Sequence, residues 1–138
     1  MKKWGVYSVR EAVLSDPVEL SLPARRNMML VLRLTTAGVV ARAGLTVDRM
    51  DDVKLAVEEA CGCLISEAGG PERLRLCFSE ADGALHIAAR GEGGSCAAIG
   101  EDEREVVRCI LESLVDGAEL RTDGAAISSV ELRVALGA

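Results

Sequence analysis

The chain has 138 residues, of which 49% are hydrophobic but only 2% aromatic, so its core must be built from aliphatic side chains. This length corresponds to a single domain, residues 1–138. The net charge is −6, which argues against nucleic-acid binding, because that function needs Lys and Arg to neutralise phosphates. The longest apolar run, Met28 to Leu32, is far too short to cross a membrane.

The cysteines and the start of the chain indicate a cytoplasmic protein. Five cysteines are an odd number, and residues 1–16 lack the pattern of a secretory leader, so we expect reduced thiols. The spacing of Cys61 and Cys63 is not that of a zinc knuckle, and His86 is the only histidine, so we expect no metal site. Residues 1–16 are predicted to form an N-terminal arm or a strand.

The first half of the chain predicts one strand and two long helices. Residues 17–22 alternate apolar and polar side chains, which favours a strand. A helix is predicted over 24–43 and a second over 47–68, with Thr46 capping its start and Gly69-Gly70-Pro71 ending it. The second helix carries an apolar stripe of residues at helical spacing: Met50, Val53, Val57, Ala60, Leu64 and Ala68.

The second half of the chain predicts two hairpins separated by a helix. Asp82-Gly83 and Asp123-Gly124 are hairpin turn signals. The first would join strands 73–80 and 84–90, and the second would join strands 118–122 and 125–136. The helix between them is predicted over 102–115, with its apolar stripe at Val106, Ile110 and Leu114.

The predicted order of elements is therefore β-α-α-β-β-α-β-β. Strands joined by short turns are antiparallel. We expect an α/β (α+β) two-layer sandwich, in which three helices cover one face of a mixed, mostly antiparallel sheet.

One carboxylate is a candidate for acid–base chemistry. Glu59 and Cys63 are four residues apart on the second helix, so they share a face. Glu59 lies among apolar neighbours, where a carboxylate can act as a general base with a raised pKa. The alternative is a rim carboxylate that points into water, since structural carboxylates outnumber catalytic ones.

Several stretches resemble one known family. Residues 24–44 (ARRNMMLVLRLTTAGVVARAG) and 45–65 (LTVDRMDDVKLAVEEACGCLI) resemble the start of the anti-sigma factor serine kinases of the partner-switching type, which are small GHKL, or Bergerat-fold, ATPases. Residues 114–136 (LVDGAELRTDGAAISSVELRVAL) resemble the end of that family. The resemblance covers roughly residues 17–137, and it implies a histidine-kinase-like ATPase domain there.

The resemblance also implies which positions would form a nucleotide site. Glu59 falls on the family's catalytic Glu, and Cys63 falls on the Asn that holds Mg²⁺, although a neutral thiol is a poor ligand for that ion. Gly91 falls on the Asp that accepts the adenine amino group, and Gly93 on the first Gly of the same motif. The Gly-rich turn that cradles the phosphates aligns with 105–107, within a run of carboxylates that would repel a triphosphate.

The resemblance therefore implies a degenerate ATP site, with Glu59 as a vestigial general base and Cys63, Gly91 and Gly93 as vestigial cofactor positions. We expect a regulatory protein that binds a sigma factor or a STAS-type antagonist, without kinase activity and without a bound cofactor. Arg33 matches a family position that contacts the sigma factor, although a solvated helix charge is equally consistent with it. The alternatives are a divergent Mg-ATP-dependent serine kinase acting on a STAS-type antagonist, and a subunit that only forms a homodimer.

Overall fold

The structure, a computed structural model, describes residues 16–65, 70–94, 96 and 98–136. The predicted arm lies almost wholly outside these residues. The order of elements confirms the prediction: β1 (Val18–Pro23), a short 3₁₀ turn (Arg26–Met28), α1 (Met29–Arg42), α2 (Val47–Leu64), β2 (Arg73–Ala81), β3 (Ala84–Glu92), α3 (Glu101–Leu114), β4 (Gly117–Asp123) and β5 (Ala126–Ala135).

The five described strands form one sheet in the order β1-β2-β3-β5-β4, and every neighbouring pair is antiparallel. The predicted two-layer α+β architecture is confirmed, but the expectation of a mixed sheet is wrong. Helices α1 and α2 connect β1 to β2, and these two neighbouring strands run in opposite directions. A single helix connects β3 to β4, which makes these two strands parallel, but β5 lies between them and is antiparallel to both.

The core lies between the helices and the inner face of the sheet. Cross-strand partners on this face form aliphatic rows, such as Leu76 with Ala89 and Ile87 with Leu132. Among the described residues, Phe78 is the one aromatic side chain in the core cluster. The remaining core residues are Leu, Ile, Val, Ala and Cys, as the composition predicts.

Helix α2 begins as predicted and ends early. The Thr46 side chain accepts a hydrogen bond from Arg49 N at 3.2 Å, which is the predicted cap. The helix ends at Leu64, because Ile65 is extended (φ −83°, ψ 132°) and its buried side chain joins the core. The predicted end at Ala68 is therefore wrong.

The predicted stripe of α3 is also wrong by one residue. Val107 and Leu111 form the buried row of this helix, whereas Val106 and Ile110 are 57% and 40% exposed. Two apolar rows one residue apart fit the helical period equally well, so periodicity could not choose between them. Helix α3 therefore presents apolar side chains on its outer side as well.

Candidate functional site

A cavity of about 500 Å³ opens between helices α1, α2 and α3 and the segment before α3. Its walls mix apolar and acidic side chains. The lining residues are Arg26, Met29, Leu55, Glu58, Glu59, Gly62, Cys63, Ile65, Ala98, Ile99, Glu103 and Val107. A volume of this size suits a small ligand, since ligand pockets commonly span about 300–1,000 Å³.

Glu59 and Cys63 both line this cavity, which is consistent with the shared face of α2 that their spacing predicts. Burial, followed by the negative charges of Glu59 and Glu103, raises the pKa of the Cys63 thiol to about 11. Cys63 is therefore a neutral thiol near pH 7, which is unsuited to holding Mg²⁺. Within the described residues, neither Glu59 nor Glu103 has a hydrogen-bond or ion-pair partner.

Arg33 does not line the cavity but joins α1 to α2 beside it. Its Nε lies 2.5 Å from Glu58 Oε2, and its Nη2 lies 3.2 Å from Glu58 Oε1. These hydrogen bonds and the charge of Glu58 raise the pKa of Arg33. The Arg33 side chain remains 48% exposed, so it is accessible to solvent.

Gly91 and Gly93 lie outside the cavity, so the structure does not bring all the predicted nucleotide-site positions together. A Cβ added at Gly91 would lie 2.9 Å from the ring of Pro71 and 3.2 Å from Cys96 Sγ. Pro71 is itself buried. An acidic side chain has no room at Gly91, because the space that it would enter is already filled.

The glycine-rich loop after β3 packs against the segment before β2. Glu72 N donates a hydrogen bond to Glu92 O at 2.8 Å. Gly93 has a φ of +76° and lies against the Glu72 side chain, while a Cβ at Gly94 would come within 2.6 Å of Gly70 O. These glycines allow two backbone segments to approach each other, which is a structural role.

The phosphate-cradle alignment falls inside a helix. Gly100 precedes the first residue of α3, Glu101, so Glu105 to Val107 lie within the helix and not at its opening. The N–H groups at these positions are used by helical hydrogen bonds. The actual first turn carries Glu101, Asp102 and Glu103. The segment before it is held at the β4–β5 turn, where Ile99 N donates to Ala125 O at 2.9 Å.

The exposed face of α1 was not singled out by the helical pattern. Leu30 and Leu34 are 58% and 63% exposed and share a face with Arg33. The apolar residues on α1 are spread around its axis, so the sequence gives no clear division into inner and outer faces. The distribution of apolar residues around the axis indicates only that α1 has two apolar sides, one of which can remain exposed.

Three further observations concern what the described residues lack. They contain no group of three or more His, Cys, Asp or Glu side chains suited to holding a metal ion. In the same part of the chain, none of the helices combines the length and apolar content that a membrane span requires. All five cysteines are free thiols, and Cys109 is exposed.

The fold matches a solved structure. The chain superimposes with a TM-score of 0.65 and 17% identity on a crystal structure of the RsbU and RsbW domains of Rv1364c from Mycobacterium tuberculosis, covering 86% of this chain and 32% of that one. This match shows that the chain shares its fold with part of that structure.

The chain is also similar in sequence to curated proteins. The chain is 31% identical over 84 residues to the serine-protein kinase RsbW of Bacillus subtilis, covering 59% of this chain and 52% of that protein. It is 38% identical over 53 residues to the RsbW of Bacillus mycoides, covering 38% of this chain and 33% of that protein. The chain thus aligns with about half or less of these relatives, and no family model matches it. The resemblance to the anti-sigma factor serine kinases is nevertheless confirmed.

Proposed function

We propose that this protein is an anti-sigma-factor-like regulator that binds a protein partner in the cytoplasm and lacks ATP-dependent kinase activity. The partner is a sigma factor or a STAS-type antagonist. The similarity to RsbW supports partner switching as the context. The observation that carries the proposal is the exposed α1 face, where Leu30, Arg33 and Leu34 combine apolar surface with an accessible guanidinium.

Such a face has the composition of a binding surface. Exposed apolar residues beside an Arg resemble the centre of a protein interface, where aliphatic contact and Arg hydrogen bonds contribute most of the affinity. The Glu58 carboxylate holds the Arg33 side chain in place before a partner arrives. This preorganisation reduces the entropy that binding would otherwise cost.

Three features support the loss of nucleotide binding. The Cys63 thiol is a poor Mg²⁺ ligand, the position of the adenine acceptor is a Gly packed against Pro71, and the aligned phosphate cradle lies inside α3. Glu103 also lines the cavity that contains Glu59, and its negative charge would repel a phosphate there. Each feature removes a contact on which phosphoryl transfer depends.

One observation favours the alternative of a divergent serine kinase. Glu59 lines an open cavity and has no partner within the described residues, so it is free to accept a proton from a substrate hydroxyl. This alternative needs a different set of oxygen ligands for Mg²⁺.

Two measurements test the proposal. Calorimetry with Mg-ATP and Mg-ADP should show no binding at millimolar nucleotide, and tight binding would restore the kinase alternative. Biolayer interferometry should then detect a complex with one member of a panel of purified sigma factors and STAS-domain proteins from the same genome. Absence of any complex would contradict the regulatory function.

A further inference from the structure

We propose that the cavity between α1, α2 and α3 is a binding site for a small aliphatic cation, such as a polyamine or agmatine. This inference goes beyond the partner-binding function, because it assigns a ligand of charge opposite to that of a nucleotide. It starts from the cavity itself, which has a volume of about 500 Å³. This volume can enclose an extended chain of several methylene groups.

The charge of the lining determines the class of ligand. Three carboxylates line the cavity, from Glu58 and Glu59 on α2 and from Glu103 on α3. Glu58 is neutralised by its paired hydrogen bonds with Arg33. The other two have no partner within the described residues, so their charges are available to a ligand.

The one cation in the described lining does not cancel this charge. Arg26 is exposed at the edge of the cavity, and its side chain already has an interaction partner. The Cys63 thiol responds to the surrounding field, because Glu59 and Glu103 both contribute to its raised pKa after burial itself. A group in the cavity therefore experiences a negative potential.

The apolar part of the lining selects an aliphatic ligand over a bare metal ion. Met29, Leu55, Ile65, Ile99 and Val107 line the same space. Methylene groups gain from contact with such side chains, in the way that Lys and Arg bury their stems against apolar surface. Within the described residues no cluster suited to a metal ion exists. An ammonium or guanidinium group at the end of an aliphatic chain meets both requirements.

Isothermal titration of the full chain with spermidine and with agmatine tests the proposal, using sodium chloride of equal ionic strength as the baseline. Saturable binding of either cation is expected. Glu59→Gln and Glu103→Gln should each weaken it about fivefold, which is the effect of losing an ion pair that is open to solvent. Circular dichroism verifies folding, and Glu103→Gln is the safer variant because Glu103 is exposed in the first turn of α3.

Glu105→Gln is the matched control, because it removes the same charge from the same helix but lies outside the cavity lining. This control should bind spermidine within about twofold of the original protein, since distant surface charges are screened. An absence of saturable binding overturns the proposal, and so does an equal loss in all three variants, which would indicate a general charge effect. Because partner binding is measured separately on α1, failure of either proposal is distinguishable from failure of the other.

Discussion

Arg33 on α1 and Glu58 on α2 form a two-point contact, in which Nε lies 2.5 Å and Nη2 lies 3.2 Å from the two carboxylate oxygens. This contact lies between two regions of interest, with the exposed α1 face on one side and the acidic cavity on the other. It orients the guanidinium while leaving it accessible.

The first prediction concerns partner binding through Arg33. Arg33→Ala should weaken the complex with the sigma factor or antagonist at least about tenfold, because an Arg at the centre of an interface is often a hot spot. The midpoint of thermal unfolding should change little. Arg42→Ala is the control, since Arg42 lies in the last turn of the same helix. Equal affinity of the Arg33→Ala protein and the original protein in biolayer interferometry would exclude Arg33 from the interface.

The second prediction concerns Asp116, which joins three elements. Its Oδ2 lies 2.6 Å from Arg49 Nη2 and accepts a hydrogen bond from Ala135 N at 2.7 Å. Asp116→Ala should lower the free energy of unfolding by about 1–2 kcal/mol, because the side chain is partly exposed and solvent screens its charge. Urea denaturation measures this change. Asp123→Ala, at the exposed end of β4, should have a much smaller effect.

The same carboxylate predicts a dependence on pH. The hydrogen bond from Ala135 N, together with Arg49 and Arg133, lowers the pKa of Asp116. A lowered pKa contributes stability that is fully present above the ordinary Asp pKa, about 3.9, and is lost as the pH falls through the lower folded value. The stability difference between the original protein and Asp116→Ala should therefore shrink in acid below pH 4. A constant difference down to pH 2 would contradict this assignment.

The third prediction concerns the order in which thiols react. Cys109 is exposed and should be alkylated first by iodoacetamide at pH 8. Cys63 should react slowly, because a thiol with a pKa of about 11 is almost entirely protonated there. Cys61 is buried, and burial raises its pKa to about 12, so it should react only after unfolding. Peptide mass spectrometry gives the order, and rapid labelling of Cys61 in the folded protein would contradict it.

The fourth prediction concerns Gly91. Gly91→Ala should lower the free energy of unfolding by about 1–3 kcal/mol, because the new methyl group would overlap the buried Pro71 ring. Gly38→Ala is a control of opposite sign, since nothing lies within 4 Å of its added Cβ. Alanine in a helix interior should there stabilise by about 0.5–1 kcal/mol. A neutral Gly91→Ala in thermal unfolding would show that the Pro71 loop yields easily.

Local signals in the sequence account for most of the fold. The cap at Thr46 and the Asp82-Gly83 turn depend on neighbouring residues alone, so both were predictable; Asp82 and Gly83 adopt the expected positive φ values of 55° and 73°. The position of β5 between β3 and β4 was not predictable, because periodicity does not determine which strands become neighbours. The buried row of α3 was also not predictable, because this helix has two adjacent apolar rows that fit the helical period equally well.

The candidate site was predicted in part. The helical period places Glu59 and Cys63 on one face, and the structure puts both in one cavity. The position of Glu103 beside Glu59 and Cys63 was not predicted, because Glu103 comes from a helix 44 positions later in the chain and this proximity depends on tertiary packing. The contact between Gly91 and Pro71 was missed for the same reason, since nothing local relates the end of β3 to the segment before β2.

The position of β5 has a consequence for synthesis on the ribosome. This strand is the last of the described chain to be made, yet it pairs with both β3 and β4 and supplies core residues such as Ile127 and Val130. Until it emerges from the exit tunnel, β3 and β4 both have unpaired edges, which are prone to aggregation. The nascent chain therefore completes its sheet in one late step, and a chaperone that shields strand edges would act before that step.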